Sequence, residues 1–229
     1  MTIATDNNIL ADGLYTVDQA AHLARLSPRS LRRWLDGEGE KEAAVDRRFP
    51  SNELNALSFV DLVQALAIRS IRNAGTLSLQ KIRLAIQEAN KFGITYPFAR
   101  QHTTFLFRDD IVIDVAGQLI QITGQYRRQQ LIRPVVELYL KDLTFDPESG
   151  LASEWVPLRD AKDDRRIVIK PTLQYGAPVV MNCGYTVNSL VTAVDSEGSP
   201  KAAADMYDVP EDDVIFALRY EDMLAGTAA

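Results

Sequence analysis

The chain has 229 residues, a net charge of −6, 46% hydrophobic residues and 24% charged residues, which is an ordinary globular composition of one or two domains. No segment approaches the roughly 20 apolar residues of a membrane span, and the single cysteine, Cys183, excludes an intramolecular disulfide. We therefore expect a cytoplasmic protein that does not cross a membrane. Its acidity lies beyond Phe92, because up to that residue 12 Lys and Arg stand against 11 Asp and Glu.

Two short helices with separate start signals are predicted between residues 14 and 35. Thr16 and Gln19 have the spacing of a capping box, and Ser27 followed by Pro28 is a second helix start. The turn between the helices has the length found in a helix-turn-helix. Apolar residues at helical spacing would form the shared core of the pair: Val17, Ala20, Ala21, Leu23, Leu26, Leu31 and Leu35.

The second of these helices is basic on the side that faces away from the predicted core. Arg29, Ser30, Arg32 and Arg33 lie on that side. In a helix-turn-helix the second helix enters the major groove, and arginine can bind guanine or a phosphate. The pattern therefore favours DNA binding, and a solvated helical hairpin with an arginine-rich surface is the alternative.

A polar segment and two further helices complete the first part of the chain. The segment from Gly37 to Asn55 predicts a loop or a β-wing. Ser58 and Asp61 begin an amphipathic helix that ends at Gly75, and another helix runs from Ser78 to Gly93.

This order of elements resembles the N-terminal winged helix-turn-helix of MerR-type regulators. The resemblance rests on four segments: Tyr15-Thr16-Val17, Leu31-Arg32-Arg33-Trp34, Arg47-Arg48 and the stretch from Gly75 to Arg83. It implies that the second helix faces DNA and that Arg47 and Arg48 touch the DNA backbone. The predicted DNA-binding residues are therefore Ser27, Arg29, Ser30, Arg32, Arg33, Arg47 and Arg48. The long dimerisation helix of that family does not follow, so we do not expect a small-molecule or metal sensor.

The middle of the chain is predicted to contain a small antiparallel sheet and a helix. Three β-rich segments form the sheet: Thr103–Phe107, Ile111–Val115 and Leu119–Ile122. A helix follows from Gln125 to Leu140, and Leu143–Phe145 and Trp155–Leu158 add strands. The charged segment from Asp160 to Arg166 is the best linker candidate.

The last part of the chain is predicted to be mainly helical. A strand at Ile167–Ile169 and a turn-rich arm from Pro171 to Gly184 precede three helices, over Thr186–Val194, Pro200–Tyr207 and Pro210–Leu224.

This part resembles the domain of unknown function 433 family, a small helical module found in antitoxins. The resemblance rests on the segments 167–180, 198–207 and 209–220 together with Val187, Leu190 and Val191. Asn182-Cys183-Gly184 stands where such domains usually have Gly-Thr-Arg. With a MerR-like helix-turn-helix at one end and this module at the other, the chain resembles VapB-type antitoxins. That implies a dimeric repressor of its own operon, bound to double-stranded operator DNA and to a PIN-domain ribonuclease toxin.

The sequence gives little support to an enzyme or a cofactor site. The two histidines, His22 and His102, have no metal-binding spacing. Asp109, Asp110 and Asp114 are more typical of a hairpin turn than of a cation site. Cys183 lacks an activating neighbour, and no nucleotide-binding or nucleophile motif occurs. We expect no catalytic residue, no bound metal and no cofactor.

Four arginines are candidates for contact with a toxin, because antitoxins of this type often insert a basic side chain into the acidic toxin site: Arg127, Arg128, Arg165 and Arg166. Surface solubility is the alternative for each.

Taken together, these patterns predict an α+β chain with a winged helix-turn-helix domain (1–93), a mixed strand and helix region (94–159) and a small helical, helix-turn-helix-like domain (160–229). A stand-alone dimeric regulator without a toxin is the alternative function.

Overall fold

The computed structural model describes residues 12–37, 43–45, 47–49, 56–73, 78–101, 103–107, 110–115, 118–121, 142–162 and 164–226. Over these residues the chain is α+β. By its internal contacts it divides into two compact units, unit 1 with residues 1–15 and 154–229, and unit 2 with residues 16–153. The three-domain division made from the sequence stays a prediction.

Unit 2 is built around one central helix. It contains α1 (Val17–Leu23), α2 (Pro28–Asp36), α3 (Phe59–Asn73) and α4 (Leu79–Lys91). Eleven of the 15 residues of α3 are buried, which makes this helix the core of the unit. A short 3-10 helix, Pro97–Ala99, packs against α3. These bounds confirm the four helices predicted for this region.

A small antiparallel sheet follows in unit 2. Its strands are β1 (Thr103–Phe107), β2 (Asp110–Val115) and β3 (Gln118–Gln121), in that order. The predicted sheet is confirmed, although Asp114 lies within β2, opposite Thr103, and not in a turn. The predicted helix over 125–140 lies outside the described residues.

A second sheet has the strand order β4 (Leu143–Phe145), β5 (Ala152–Arg159), β6 (Arg166–Ile169) and β7 (Val179–Val180). Strands β5 and β6 are antiparallel, with Arg159 opposite Arg166. The Asp160 amide also donates to the Arg165 carbonyl at 2.9 Å. The prediction of a linker at 160–166 is therefore wrong, because this segment is a hairpin connection. A polar, charged composition is typical of both, so composition could not separate them.

Three helices complete unit 1, as predicted. They are α5 (Val187–Glu197), α6 (Pro200–Tyr207) and α7 (Glu211–Ala225), and each contacts the other two. Thr186 and Ser199 cap α5 and α6 through their hydroxyl groups. The core between the helices contains Leu190, Ala203, Val214, Ala217 and Tyr220, each fully buried.

The beginning of the chain also belongs to unit 1. The Tyr15 hydroxyl donates to the Gly176 carbonyl at 2.8 Å, and the Leu14 amide donates to the Tyr175 carbonyl at 3.4 Å. Both bonds anchor residues 14 and 15 on the turn-rich arm before α5. None of the helices among the described residues has the length and apolar character needed to span a bilayer.

Candidate DNA-binding helix pair

The start signals of α1 and α2 work as their sequences predict. The Thr16 hydroxyl accepts from the Gln19 amide at 3.1 Å, and the Gln19 side chain accepts from the Thr16 amide at 2.9 Å. This is a complete capping box. The Ser27 hydroxyl accepts from the Ser30 amide at 3.1 Å, directly before Pro28 at the first helical position. Both helices therefore begin at residues fixed by local chemistry.

The turn between the two helices is tight and places Arg25 in the left-handed region, with φ of 51°. The Leu26 amide donates to the Ala21 carbonyl at 2.8 Å, and the Arg25 amide donates to the His22 carbonyl at 3.0 Å. This pair of bonds is a Schellman motif, in which the left-handed residue is usually glycine. An arginine gives no sequence signal for this conformation.

The pair α1 and α2 has one buried side and one exposed, basic side. Ala20, Ala21 and Leu23 of α1 are buried, as are Leu31, Trp34 and Leu35 of α2. Arg29, Arg32 and Arg33 are exposed. The structure thus brings together on α2 three of the predicted arginines.

Arg32 makes a weak contact with Asp18 on this surface. Its Nη2 lies 3.3 Å from Oδ1 of Asp18, and the two side chains are 55% and 69% exposed. A solvated pair of this kind contributes about 0–1 kcal/mol, so a phosphate or a base can replace Asp18. The Ser27 and Ser30 hydroxyls are 2.9 Å apart and serve the helix cap.

Arg47 and Arg48 differ from the α2 arginines in their surroundings. The Arg47 side chain is only 10% exposed; it donates to the Ala56 carbonyl at 3.1 Å and lies 3.6 Å from Asp36. The Arg48 amide donates to Oδ1 of Asp61 at 3.0 Å. The Arg47 guanidinium therefore holds this segment on the protein. The rest of the predicted wing, at 38–42, 46 and 50–55, lies outside the described residues.

Asp61 closes the start of α3, as the sequence predicts for Ser58 and Asp61. Its Oδ2 accepts from the Ser58 amide at 2.8 Å and from the Ser58 hydroxyl at 2.9 Å, and the Asp61 amide donates back to that hydroxyl at 3.1 Å. Burial raises the pKa of Asp61, although these hydrogen bonds and the Arg48 amide oppose the shift. Asp61 thus joins the segment at Arg48 to the central helix.

The positive charge of Arg25 acts on Arg69 of α3, an interaction that the sequence does not predict. Arg69 is half-buried on α3; desolvation lowers its pKa, and the positive charge of Arg25 lowers it further. Like charges repel, which is why the charge of Arg25 disfavours the protonated form of Arg69. No local pattern could reveal the pair, because its members belong to a turn and to a distant helix.

The four arginines proposed for toxin contact have different outcomes. Arg127 and Arg128 lie outside the described residues. Arg165 makes ion pairs with Asp213 at 2.7 Å, Asp212 at 3.3 Å and Asp160 at 4.0 Å. Arg166 is exposed at the start of β6. Of these two arginines, Arg166 is the exposed one, and it makes no ion pair with an Asp or Glu of the described part of the chain.

The residues considered for catalysis or metal binding are not gathered into such a site in the described part of the chain. No three His, Cys, Asp or Glu side chains come together there in a way that could hold a metal ion. The Cys183 thiol is half-buried and 3.6 Å from the Val180 carbonyl. Desolvation raises its pKa, which disfavours a reactive thiolate.

Comparison with known proteins adds two similarities over nearly the whole chain. The chain is 25% identical over 230 residues to a Mycobacterium tuberculosis protein named "Putative antitoxin VapB45", an alignment that covers 90% of this chain and 92% of that protein. It also matches the X-ray crystal structure of Rv2018 from Mycobacterium tuberculosis, with a TM-score of 0.61 and 21% identity, over 89% of this chain and 96% of that one. The second match shows a shared fold. No protein-family profile matches the chain, so the resemblances to MerR-type regulators and to the 433 module stay predictions.

Proposed function

We propose that this protein is the antitoxin of a type II toxin–antitoxin system, a non-catalytic cytoplasmic protein that represses its own operon and neutralises a PIN-domain ribonuclease. The observation that carries the DNA-binding part is the exposure of Arg29, Arg32 and Arg33 on a helix whose opposite side is buried. The antitoxin part is supported by the name of a relative that is similar over 90% of the chain.

In this proposal α2 enters the major groove and its arginines contact base edges and phosphates. Arg25, in the turn directly before α2, adds a further positive charge beside this helix. Residues 1–92 carry almost no net charge, so the affinity depends on this local cluster and falls steeply with salt. A homodimer would present two α2 helices to a palindromic site.

For the toxin, Arg166 is the strongest of the described candidates. It is exposed, whereas Arg165 is bonded within its own unit. PIN-domain toxins have acidic, Mg²⁺-dependent sites, which an inserted guanidinium can block by occupying the position of the metal. Arg127 and Arg128 stay candidates from the sequence alone.

The test is co-expression of the tagged chain with the reading frame next to its own gene. We expect the neighbouring protein to co-purify, its ribonuclease activity to be silenced in the complex, and the complex to protect the DNA upstream of the gene from nuclease. Protection of that DNA by a chain that captures no neighbouring protein would support the alternative, a stand-alone dimeric regulator. Absence of protection would remove the DNA-binding part.

A further inference from the structure

The turn at Gln174–Gly176, in the arm before α5, combines an unfavourable backbone with an exposed aromatic side chain. Three consecutive residues lie in the left-handed region, with φ of 47° at Gln174, 55° at Tyr175 and 88° at Gly176. Glycine adopts this region freely, whereas the Cβ of a tyrosine comes too close to the following carbonyl oxygen. The backbone at Tyr175 is therefore strained.

Burial of the ring does not offset this strain. Tyr175 is 63% exposed, and its hydroxyl makes no hydrogen bond within the described part of the chain. Tyr96 shows the contrast, because it has a similar φ of 53° but is half-buried at the start of the 3-10 helix Pro97–Ala99. Strained residues persist where packing or function requires them, and they cluster at ligand contacts. The exposed ring of Tyr175 points to a function outside the fold.

The backbone of this turn is held in place from behind. The Gly176 amide donates to the Leu173 carbonyl at 3.0 Å, and the Leu14 amide donates to the Tyr175 carbonyl at 3.4 Å. The Tyr15 hydroxyl donates to the Gly176 carbonyl at 2.8 Å, and Tyr15 is itself only 4% exposed. The turn thus presents the Tyr175 ring from an ordered backbone, which reduces the entropy lost when a partner binds.

The charge of unit 1 restricts what the ring can bind. Residues 1–15 and 154–229 contain 15 Asp and Glu against 7 Lys and Arg, whereas residues 16–153 contain 16 Asp and Glu against 18 Lys and Arg. A surface with such an excess of negative charge repels the phosphates of a nucleic acid, and it also repels the same unit of a second copy. A protein with a neutral or basic contact surface is the class of partner that this charge favours.

We propose that Tyr175 is an anchor residue for a partner protein, which receives the ring in an apolar pocket with basic groups at its rim. Tyrosine is enriched among the residues that dominate protein interfaces, because its rigid ring covers a large area and loses few rotamers on binding. The inference rests on the proposed function, since the partner is the toxin encoded next to this gene. It adds an aromatic anchor on unit 1 to the exposed Arg166.

The test compares substitutions at two adjacent, exposed residues of the turn. Tyr175→Asn removes the ring and Gln174→Asn is its matched control, because asparagine tolerates the left-handed region at either position. We expect Tyr175→Asn to raise the thermal midpoint by about 2 °C, since it relieves strain. The same variant should bind the neighbouring protein about tenfold more weakly or worse, measured by biolayer interferometry on the immobilised full chain. Gln174→Asn should leave that affinity unchanged.

These measurements separate an anchor from a structural residue. A lower thermal midpoint in Tyr175→Asn would show that the ring serves the fold and would overturn the proposal. Unchanged affinity in Tyr175→Asn, or an equal loss in Gln174→Asn, would overturn it as well. Tyr175→Phe keeps the ring and should bind within about threefold of the wild-type chain. If the wild-type chain itself fails to bind the neighbouring protein, the antitoxin part of the proposed function falls together with this inference.

Two further measurements address the other classes of partner. The affinity for the DNA upstream of the gene and the sedimentation mass of the free chain should be the same in Tyr175→Asn and in the wild-type chain. A loss of DNA affinity would assign the ring to nucleic acid, and a smaller mass would assign it to a second copy. Either result would overturn the assignment of Tyr175 to a different protein.

Discussion

The Arg165 guanidinium donates its Nε hydrogen to Oδ1 of Asp213 over 2.7 Å. This bond ties the hairpin between β5 and β6 to the first turn of α7 and neutralises a carboxylate that is 1% exposed. Hydrogen bonding and attraction to Asp213 raise the pKa of Arg165. Arg165 is therefore part of the internal structure of unit 1.

Replacing Arg165 should accordingly lower the stability of the protein, because its side chain is used within unit 1 and not for contact with a toxin. We expect Arg165→Ala to lower the midpoint of urea denaturation, because it leaves the Asp213 carboxylate buried without its partner. Arg166→Ala is the matched control, since it removes the same charge from the next residue, which is exposed, and should change the free energy of unfolding by less than about 0.5 kcal/mol. An unchanged midpoint in Arg165→Ala would contradict this role.

If α2 contacts DNA, substitutions of its exposed arginines should weaken DNA binding without destabilising the fold. Arg32→Ala combined with Arg33→Ala should weaken binding to the DNA upstream of the gene by about 3 kcal/mol or more and reduce its salt dependence. The thermal midpoint should hardly change, because both side chains are exposed. Lys81→Ala combined with Lys91→Ala removes two positive charges from α4 and serves as the control. A gel-shift titration decides, and equal affinities of the two double variants would refute the assignment of α2.

Gly176 should tolerate no side chain, because Tyr15 occupies the space. Its φ is 88°, and a Cβ atom added there would overlap the Tyr15 hydroxyl and lie 2.9 Å from Cζ. We expect Gly176→Ala to lower the free energy of unfolding by about 3 kcal/mol. Gly184→Ala has a similar φ of 76° but meets nothing within 4 Å, and should cost only about 1 kcal/mol.

Tyr15→Phe provides a further check on this contact. It removes the hydroxyl that donates to the Gly176 carbonyl and should destabilise the wild-type chain. In the Gly176→Ala background it should instead recover part of the loss, because the closest clash is gone. Additive losses in urea denaturation of the double variant would show that the two residues do not oppose each other.

The turn at Arg25 predicts a stabilising substitution. Arg25→Gly should be about 1 kcal/mol more stable than Arg25→Ala, because glycine adopts the φ of 51° without steric strain. Both variants lose the same cation, so both should bind DNA equally weakly if Arg25 contacts a phosphate. Thermal denaturation and gel shift measured on the same samples check the two effects. Equal stability of the two variants would mean that the turn is not strained.

Asp61 predicts a pH dependence of stability with a definite sign. Its pKa in the folded protein is raised by burial, so the folded state holds the proton more tightly than the unfolded state does. The free energy of unfolding therefore falls as the pH rises from the unfolded pKa through the folded pKa. Compared with Asp61→Asn, the wild-type chain should lose stability over this range. A difference that stays constant or grows with pH in urea titrations would contradict the shift.

The helices could be predicted from the sequence because their signals are local. Thr16 with Gln19, Ser27 with Pro28, and Ser58 with Asp61 each satisfy free amides within three residues. Such signals act wherever the segment lies in the fold. The exposed basic side of α2 follows from the same periodicity, which places apolar and charged residues on opposite faces.

The role of each arginine depends on contacts with residues that are distant in the sequence. Arg47 and Arg165 look in the sequence like Arg29 and Arg33, yet Ala56 and Asp36 hold the first and Asp213 holds the second. The segment 160–166 has the composition of a linker but connects two paired strands. The composition of a segment shows that a residue is charged, but it does not show which residues contact that side chain in the fold.

The sequence by itself thus determined where α1 to α7 begin and which side of α2 is basic, since capping and helical periodicity act over three or four residues. Only the tertiary structure decided that Tyr15 contacts Gly176, that Arg47 is held by Ala56 and Asp36, and that Arg165 pairs with Asp213. These relationships join residues far apart in the chain, and packing alone brings them within reach of each other.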